Sequence, residues 1–296
     1  MTYSGSFVAM ITPFKNGEVD EAGLRKLVDF QIDNGTNGLV PCGTTGEAAT
    51  MSEDEQFRVI EIVVQHTAGR VPVVAGTGTN DTAKTIGFTK RAKAVGANGA
   101  LIVTPYYNKP TQEGLFQHFM AIADATDIPI MLYNVPGRTS VNMLPETVIR
   151  LSKHPRIVAV KEASGSIDQS TQIVNEVASD FSVMSGDDSL TLPIMSVGGK
   201  GIVSVVANVA PAPVAQMVAA YAKGDIVRAR EIHLGIFDLC RAMFIETNPM
   251  MVKTAAGLLG LCSDEVRLPL VAITPASKEK LKAAIKACGF LQPATV

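Results

Sequence analysis

ALIVTPYY at residues 100–107, PIMLYNVP at 129–136 and IVAVKEAS at 157–164 are three short apolar runs that each give way to polar residues at the carboxyl end. Unbroken apolar runs of this length suit parallel strands buried on both faces. The segments between them read as helices. Leu115, Phe119 and Ile122 form one apolar stripe, and Pro145 suits the first turn of the next helix.

The same alternation extends in both directions. Upstream lie FVAMITPF from Phe7, GLVPCG from Gly38 and VPVVAGTG from Val71; downstream lie FSVMSGDD from Phe181 and GIVSVVAN from Gly201. Leu24, Leu27, Val28 and Ile32 share a helical face ahead of Gly35, and Ser52 with Glu55 has the spacing of a capping box. Consecutive runs begin roughly 20 to 33 residues apart, near the ~30 of a βαβ unit. The class is therefore α/β. Such alternation allows a doubly wound sheet or a closed barrel, and a count of eight favours the (β/α)8 barrel. After Gly224 the strand signal stops, and three amphipathic segments follow. The expected division is a catalytic barrel over 1–224 and a C-terminal helical domain over 225–296.

Composition narrows the functional classes. The 296 residues carry 26 Lys plus Arg against 28 Asp plus Glu, a formal charge of -2, without the basic patch that nucleic-acid binding needs. Cys42, Cys240, Cys262 and Cys288 form no C-x-x-C pair, and His66, His118, His154 and His233 are equally dispersed, so no metal site is expected. No apolar run reaches the ~18 to 20 residues of a membrane helix. MTYSGSFVAMITPF at the start shows no signal-peptide pattern. These features point to a reducing, cytoplasmic location.

In a barrel of this kind chemistry collects at the carboxyl ends of the strands. Those ends read Gly43-Thr44-Thr45-Gly46-Glu47, Tyr106-Tyr107-Asn108, Tyr133-Asn134-Val135-Pro136, Lys161-Glu162 and Gly186-Asp187-Asp188. Alternation along a strand puts Ala159, Lys161 and Ala163 on one face, so Lys161 points inward if Ala159 does. A desolvated amine is a nucleophile toward a carbonyl. The plainer alternative is a lysine whose head reaches solvent or pairs with a carboxylate. Gly43 to Gly46 offers backbone N–H groups and two hydroxyls to an anion, or is an ordinary βα turn. Tyr106, Tyr107 and Tyr133 are candidates for proton transfer or for simple packing at the rim. Arg138 suits a carboxylate ligand or a surface ion pair. No G-x-G-x-x-G opens a helix, which leaves a dinucleotide site without support.

Together GTTGE at Gly43, PYYNKPTQEG at Pro105, YNVPGRT at Tyr133, KEASG at Lys161 and SGDD at Ser185 resemble the dihydrodipicolinate synthase family, in order and from about Phe7 to the C-terminus. GTTGE and KE alone would fit several pyruvate aldolases; PYYNKP with YNVPGRT is more specific. The resemblance implies a lyase of diaminopimelate and lysine biosynthesis that joins pyruvate to L-aspartate 4-semialdehyde, with no cofactor beyond a covalent Schiff base on Lys161. It implies that Tyr133 acts as general acid and base in a relay with Thr44 and with Tyr107 of a neighbouring subunit. It also implies that Thr45, Gly186 and the backbone near Val203 hold pyruvate, that Arg138 binds the semialdehyde carboxylate, and that the assembly is a homotetramer built from two dimers.

The chain departs from the family at one place. Feedback lysine binds lysine-inhibited members near the positions of Ala49, Glu53, Gln56, Asn80, Lys84 and Tyr106. Those members typically have histidines at Glu53 and Gln56 and a glutamate at Lys84. A cation in place of that glutamate repels the inhibitor's ammonium, so weak or absent lysine inhibition is expected. The nearest alternative activity is another Schiff-base aldolase on the same barrel, such as N-acetylneuraminate lyase or a 2-keto-3-deoxy sugar acid aldolase. A barrel that only binds a keto acid is the alternative outside enzymes.

Overall fold

A computed structural model describes residues 2–289. All eight apolar runs form strands: β1 (Gly5–Ala9), β2 (Gly38–Val40), β3 (Val74–Gly76), β4 (Gly99–Val103), β5 (Ile130–Asn134), β6 (Ile157–Glu162), β7 (Ser182–Ser185) and β8 (Gly201–Ser204). Every pairing among them is parallel, in the order β2-β1-β8-β7-β6-β5-β4-β3. A parallel bridge between Leu39 and Val73 joins the two ends and closes the barrel. The strands are shorter than the apolar runs. In GLVPCG the strand stops at Val40 because Pro41 has no N–H to continue the ladder.

Period-two alternation accounts for the unbroken hydrophobicity. Phe7, Ala9, Val40, Val74, Leu101, Met131, Ala159, Met184 and Val203 fill the barrel interior as one buried cluster. Their neighbours Val8, Leu39, Val73, Ile102, Leu132, Val160, Val183 and Ile202 face outward and belong to a second cluster under the helices. Both faces of each strand are buried, so apolar residues predominate on both.

The outer ring comprises α1 (Glu21–Asp33), α2 (Glu53–Thr67), α3 (Thr82–Ala94), α4 (Gln112–Ala125), α5 (Pro145–Leu151), α6 (Ile167–Glu176), α7 (Thr191–Ser196) and α8 (Pro211–Ala222). Ser52 and Glu55 make the reciprocal capping box that starts α2, and Pro145 occupies the first turn of α5. On α4 the stripe Leu115, Phe119 and Ile122 is fully buried. Each such side chain contributes roughly 1.5–3 kcal/mol of transfer free energy.

Beyond Gly224 come α9 (Ile226–Ala242), α10 (Met250–Leu258) and α11 (Pro275–Ala287). Ile232, Ile236, Leu239 and Met251 from these helices share the outer apolar cluster with the barrel. This packing holds the segment around Asn248 against the carboxyl ends of the strands, where the polar residues collect.

Candidate active site

Lys161 and Tyr133 are register partners on β6 and β5. Strand alternation turns both into the barrel, where they are 4% and 7% exposed. Lys161 Nζ lies 4.2 Å from the centroid of the Tyr133 ring. The two plainer fates of such a lysine are both excluded. The side chain does not reach solvent, and no carboxylate among the described residues pairs with it. What remains is a sheltered amine beside a phenol.

Space for that amine depends on Gly186, just past β7. A Cβ at this position would lie 2.7 Å from Ala163 Cβ, 3.1 Å from the Glu162 carbonyl and 3.2 Å from Lys161 Cε. Gly186→Ala therefore pushes on the lysine stem from one side. The expected result is a fall in kcat/KM of about ten- to a hundredfold, ~1.4–2.7 kcal/mol, read by steady-state kinetics. Unaltered kinetics would show that Lys161 tolerates displacement.

The turn after β2 carries Thr44 and Thr45. Gly76 on β3 permits its path, because a Cβ there would sit 2.2 Å from the Cys42 carbonyl. Three of the turn's N–H groups are spent internally: Gly46 and Ala48 donate to the Gly43 carbonyl and Glu47 to the Thr44 carbonyl. Of the donors read from the sequence as an anion cradle, the N–H groups of Gly43, Thr44 and Thr45 remain. Thr45 is buried, and its Oγ1 accepts from Asn248 Nδ2 at 3.0 Å.

A cavity of about 460 Å³ opens above this turn, bordered by Thr44, Gly76, Val103 and Tyr133. Lys161 does not line it. Ala49, Glu53, Gln56, Asn80, Lys84 and Tyr106 border the same cavity. There Lys84 pairs with Glu53 at 2.8 Å, which holds its ammonium above the usual lysine range. The Gln56 amide is engaged by the carbonyls of Ala48 and Met51.

The remaining expected residues are placed differently. Arg138 sits exposed after β5 and donates from Nη2 to the Asn248 carbonyl at 3.0 Å. Val203 turns a fully buried apolar side chain into the barrel, leaving only its backbone for polar work. Tyr107 stands apart from Tyr133 and Thr44. It is 89% exposed, on a backbone with φ of +72° that a non-glycine residue rarely adopts.

Several residues around the site have roles that the sequence did not assign. Asp188 is buried; its Oδ1 accepts from Ser204 Oγ, and its Oδ2 accepts from the N–H groups of Val205 (3.0 Å) and Val206 (3.2 Å). Burial pushes this carboxyl above the usual range while the three donors pull it back. It pins the end of β8 next to Val203. Asn248 and the Glu47–Lys253 pair join the turn after β2 to residues some 200 positions away. Among the described residues no group of three or more His, Cys, Asp or Glu is placed to hold a metal ion. No helix of the described residues is long and apolar enough to cross a membrane.

This geometry agrees with the comparison to known proteins. The sequence profile of the dihydrodipicolinate synthetase family matches residues 2–288. The chain belongs to that family. It is 55% identical to the 4-hydroxy-tetrahydrodipicolinate synthase of Pelobacter propionicus, over 98% of this chain and 100% of that protein. The crystal structure of dihydrodipicolinate synthase from Aquifex aeolicus superposes with a TM-score of 0.96 at 48% identity, covering 99% of this chain and 100% of that one. The chloride-inhibited enzyme of Acinetobacter baumannii, solved in complex with pyruvate, gives a TM-score of 0.96 at 42% identity, covering 98% and 100%. The family's barrel with C-terminal helices is thus the fold of this chain.

Proposed function

We infer that this chain acts as a 4-hydroxy-tetrahydrodipicolinate synthase, a lyase of the diaminopimelate and lysine pathway. The observation that carries the reading is Lys161, buried without a carboxylate partner beside Tyr133, in a chain 55% identical to a curated synthase over nearly its whole length.

In this reading pyruvate is an anionic ketone and needs an amine and a set of N–H donors. Its carboxylate meets the N–H groups of Thr44 and Thr45 and the Thr45 hydroxyl, with Gly186 and the backbone near Val203 completing the floor. Lys161 attacks the ketone carbon, and loss of one water leaves an iminium. Removal of a methyl proton gives the enamine, whose carbon attacks the aldehyde of L-aspartate 4-semialdehyde; the aldehyde oxygen takes up a proton. The amino group of the semialdehyde then adds to the former ketone carbon and expels Lys161. Tyr133 shuttles the protons, linked to Thr44 and to Tyr107 of a neighbouring subunit, while Arg138 holds the semialdehyde carboxylate. Electrostatic placement of the donors is what this scheme asks of the protein.

The exposure of Tyr107 supports a shared site, which requires at least a dimer; a homotetramer of two dimers is the proposed assembly. Four free cysteines support a reducing, cytoplasmic location. The division into a barrel over 1–224 and a helical domain over 225–296 belongs to the same proposal, supported by the change to helices alone after Gly224 among the described residues.

Borohydride trapping with pyruvate tests the covalent step: mass added at Lys161 supports it, and an unmodified chain excludes it. Turnover of pyruvate with the semialdehyde, set against N-acetylneuraminate and 2-keto-3-deoxy sugar acids, tests the substrate. Lysine is expected to inhibit weakly or not at all, because Lys84 is already paired with Glu53 and the Gln56 amide is occupied. Half-inhibition at submillimolar lysine in steady-state assays would refute that expectation.

A further inference from the structure

Glu47 and Lys253 form an ion pair in which both side chains are wholly buried, with Nζ 2.6 Å from Oε1. Glu47 closes the turn that carries Thr44 and Thr45, and Lys253 lies on α10. The other carboxylate oxygen of Glu47 accepts the Arg267 N–H at 3.1 Å. Lys253 Nζ also stands 4.1 Å from the centroid of the Phe14 ring, which the Arg267 guanidinium meets as well at 4.3 Å. Glu47 itself adopts a left-handed φ of +54°, uncommon for a residue other than glycine.

A buried pair of this kind is a poor way to gain stability. Desolvation of two charges offsets most of their attraction, and apolar side chains of similar volume often serve as well or better. Burial pulls the Lys253 ammonium below the ordinary lysine range, and the Glu47 carboxylate opposes that only in part. A matched pair of charges does supply one fixed register between two elements.

That register bears on both substrates of the proposed reaction. Asn248, five residues before Lys253 and just ahead of α10, donates to Thr45 Oγ1 and accepts from Arg138 through its carbonyl. The segment leading into α10 therefore touches a residue assigned to pyruvate and a residue assigned to the semialdehyde. Glu47–Lys253 is the second tie between the same turn and the same helix.

We propose that the buried Glu47–Lys253 pair is a positioning device that sets Thr44 and Thr45 against Arg138 by locking the turn after β2 to the start of α10. The proposal rests on the functional reading above. Displacements near 1 Å at such anchors cost about a hundredfold in rate, so a device that fixes register repays its desolvation in catalysis.

The test compares the full-length wild type with Glu47→Gln, Lys253→Met and the double variant Glu47→Gln/Lys253→Met. The double variant removes both charges, keeps the volume and leaves an oxygen for the Arg267 N–H. Readouts are Tm, kcat and KM for both substrates, and the rate of borohydride-trapped pyruvate adduct at Lys161. The double variant is expected to stay folded, with Tm near the wild type, while kcat/KM for pyruvate falls at least about tenfold, mainly through KM. Leu115→Ala, a cavity on α4 away from the site, supplies a control that loses stability at unchanged kcat/KM. If the double variant loses stability too, a kinetic deficit beyond that of Leu115→Ala at equal Tm still supports positioning. A double variant with wild-type kinetics overturns the proposal alone. A wild-type enzyme that forms no pyruvate adduct overturns the functional reading and the proposal with it.

Discussion

Lys161→Met is expected to lower kcat by at least about a thousandfold, ~4 kcal/mol of transition-state stabilisation, and to abolish borohydride trapping of pyruvate. The size follows from the loss of a covalent route. Without the amine no iminium forms, so the electron sink that makes the methyl group acidic is absent. The effect on stability runs the other way. Lys161 is 4% exposed and lacks a carboxylate partner, so its head is held at a cost in solvation. Methionine keeps most of the stem volume and removes that cost, and Tm should stay level or rise. A variant that retains turnover would exclude Lys161 as the nucleophile, and one that unfolds would show that the lysine is structural.

Tyr107 offers the second large effect, and it separates a shared site from a self-contained one. Tyr107→Phe is expected to reduce kcat by about a hundred- to a thousandfold through loss of one proton-transfer partner. The fold of the single chain should be unaffected, since the side chain is 89% exposed there and buries little. The decisive measurement mixes subunits. Tyr107→Phe and Lys161→Met are each nearly inactive, yet a mixed dimer carries one site with Lys161 from one chain and Tyr107 from the other. Co-refolding equal amounts should restore roughly a quarter of the wild-type sites. Failure of the mixture to recover activity would mean that each chain completes its own relay, and the exposed position of Tyr107 would then need another explanation.

The positions of these residues were legible in the sequence to different degrees. The inward direction of Lys161 followed from the period of two around Ala159, and the interior cluster bears this out. Tyr133 was legible for the same reason. Thr44 and Thr45 were legible as a turn, but the share of that turn's N–H groups available to a ligand was not. Gly46, Glu47 and Ala48 proved to be occupied by the turn's own carbonyls. Asn248 was missed altogether, because a lone asparagine ahead of a helical segment carries no pattern.

By itself, then, the sequence determined the eight strands, their helices, and which side of each strand is buried. These are properties of local periodicity, and burial on both faces leaves each run little freedom. It also placed the polar groups at one end of the strands, because polar residues ended each run. Only the tertiary structure decided what those groups touch. Gly186 makes room for Lys161 across 25 positions, Asp188 pins the end of β8, and Glu47 meets Lys253 across 206. Such contacts depend on the tilt of the strands as the barrel closes and on how the C-terminal helices lie over it. No spacing within a single segment encodes that angle; it emerges when the two apolar clusters pack together.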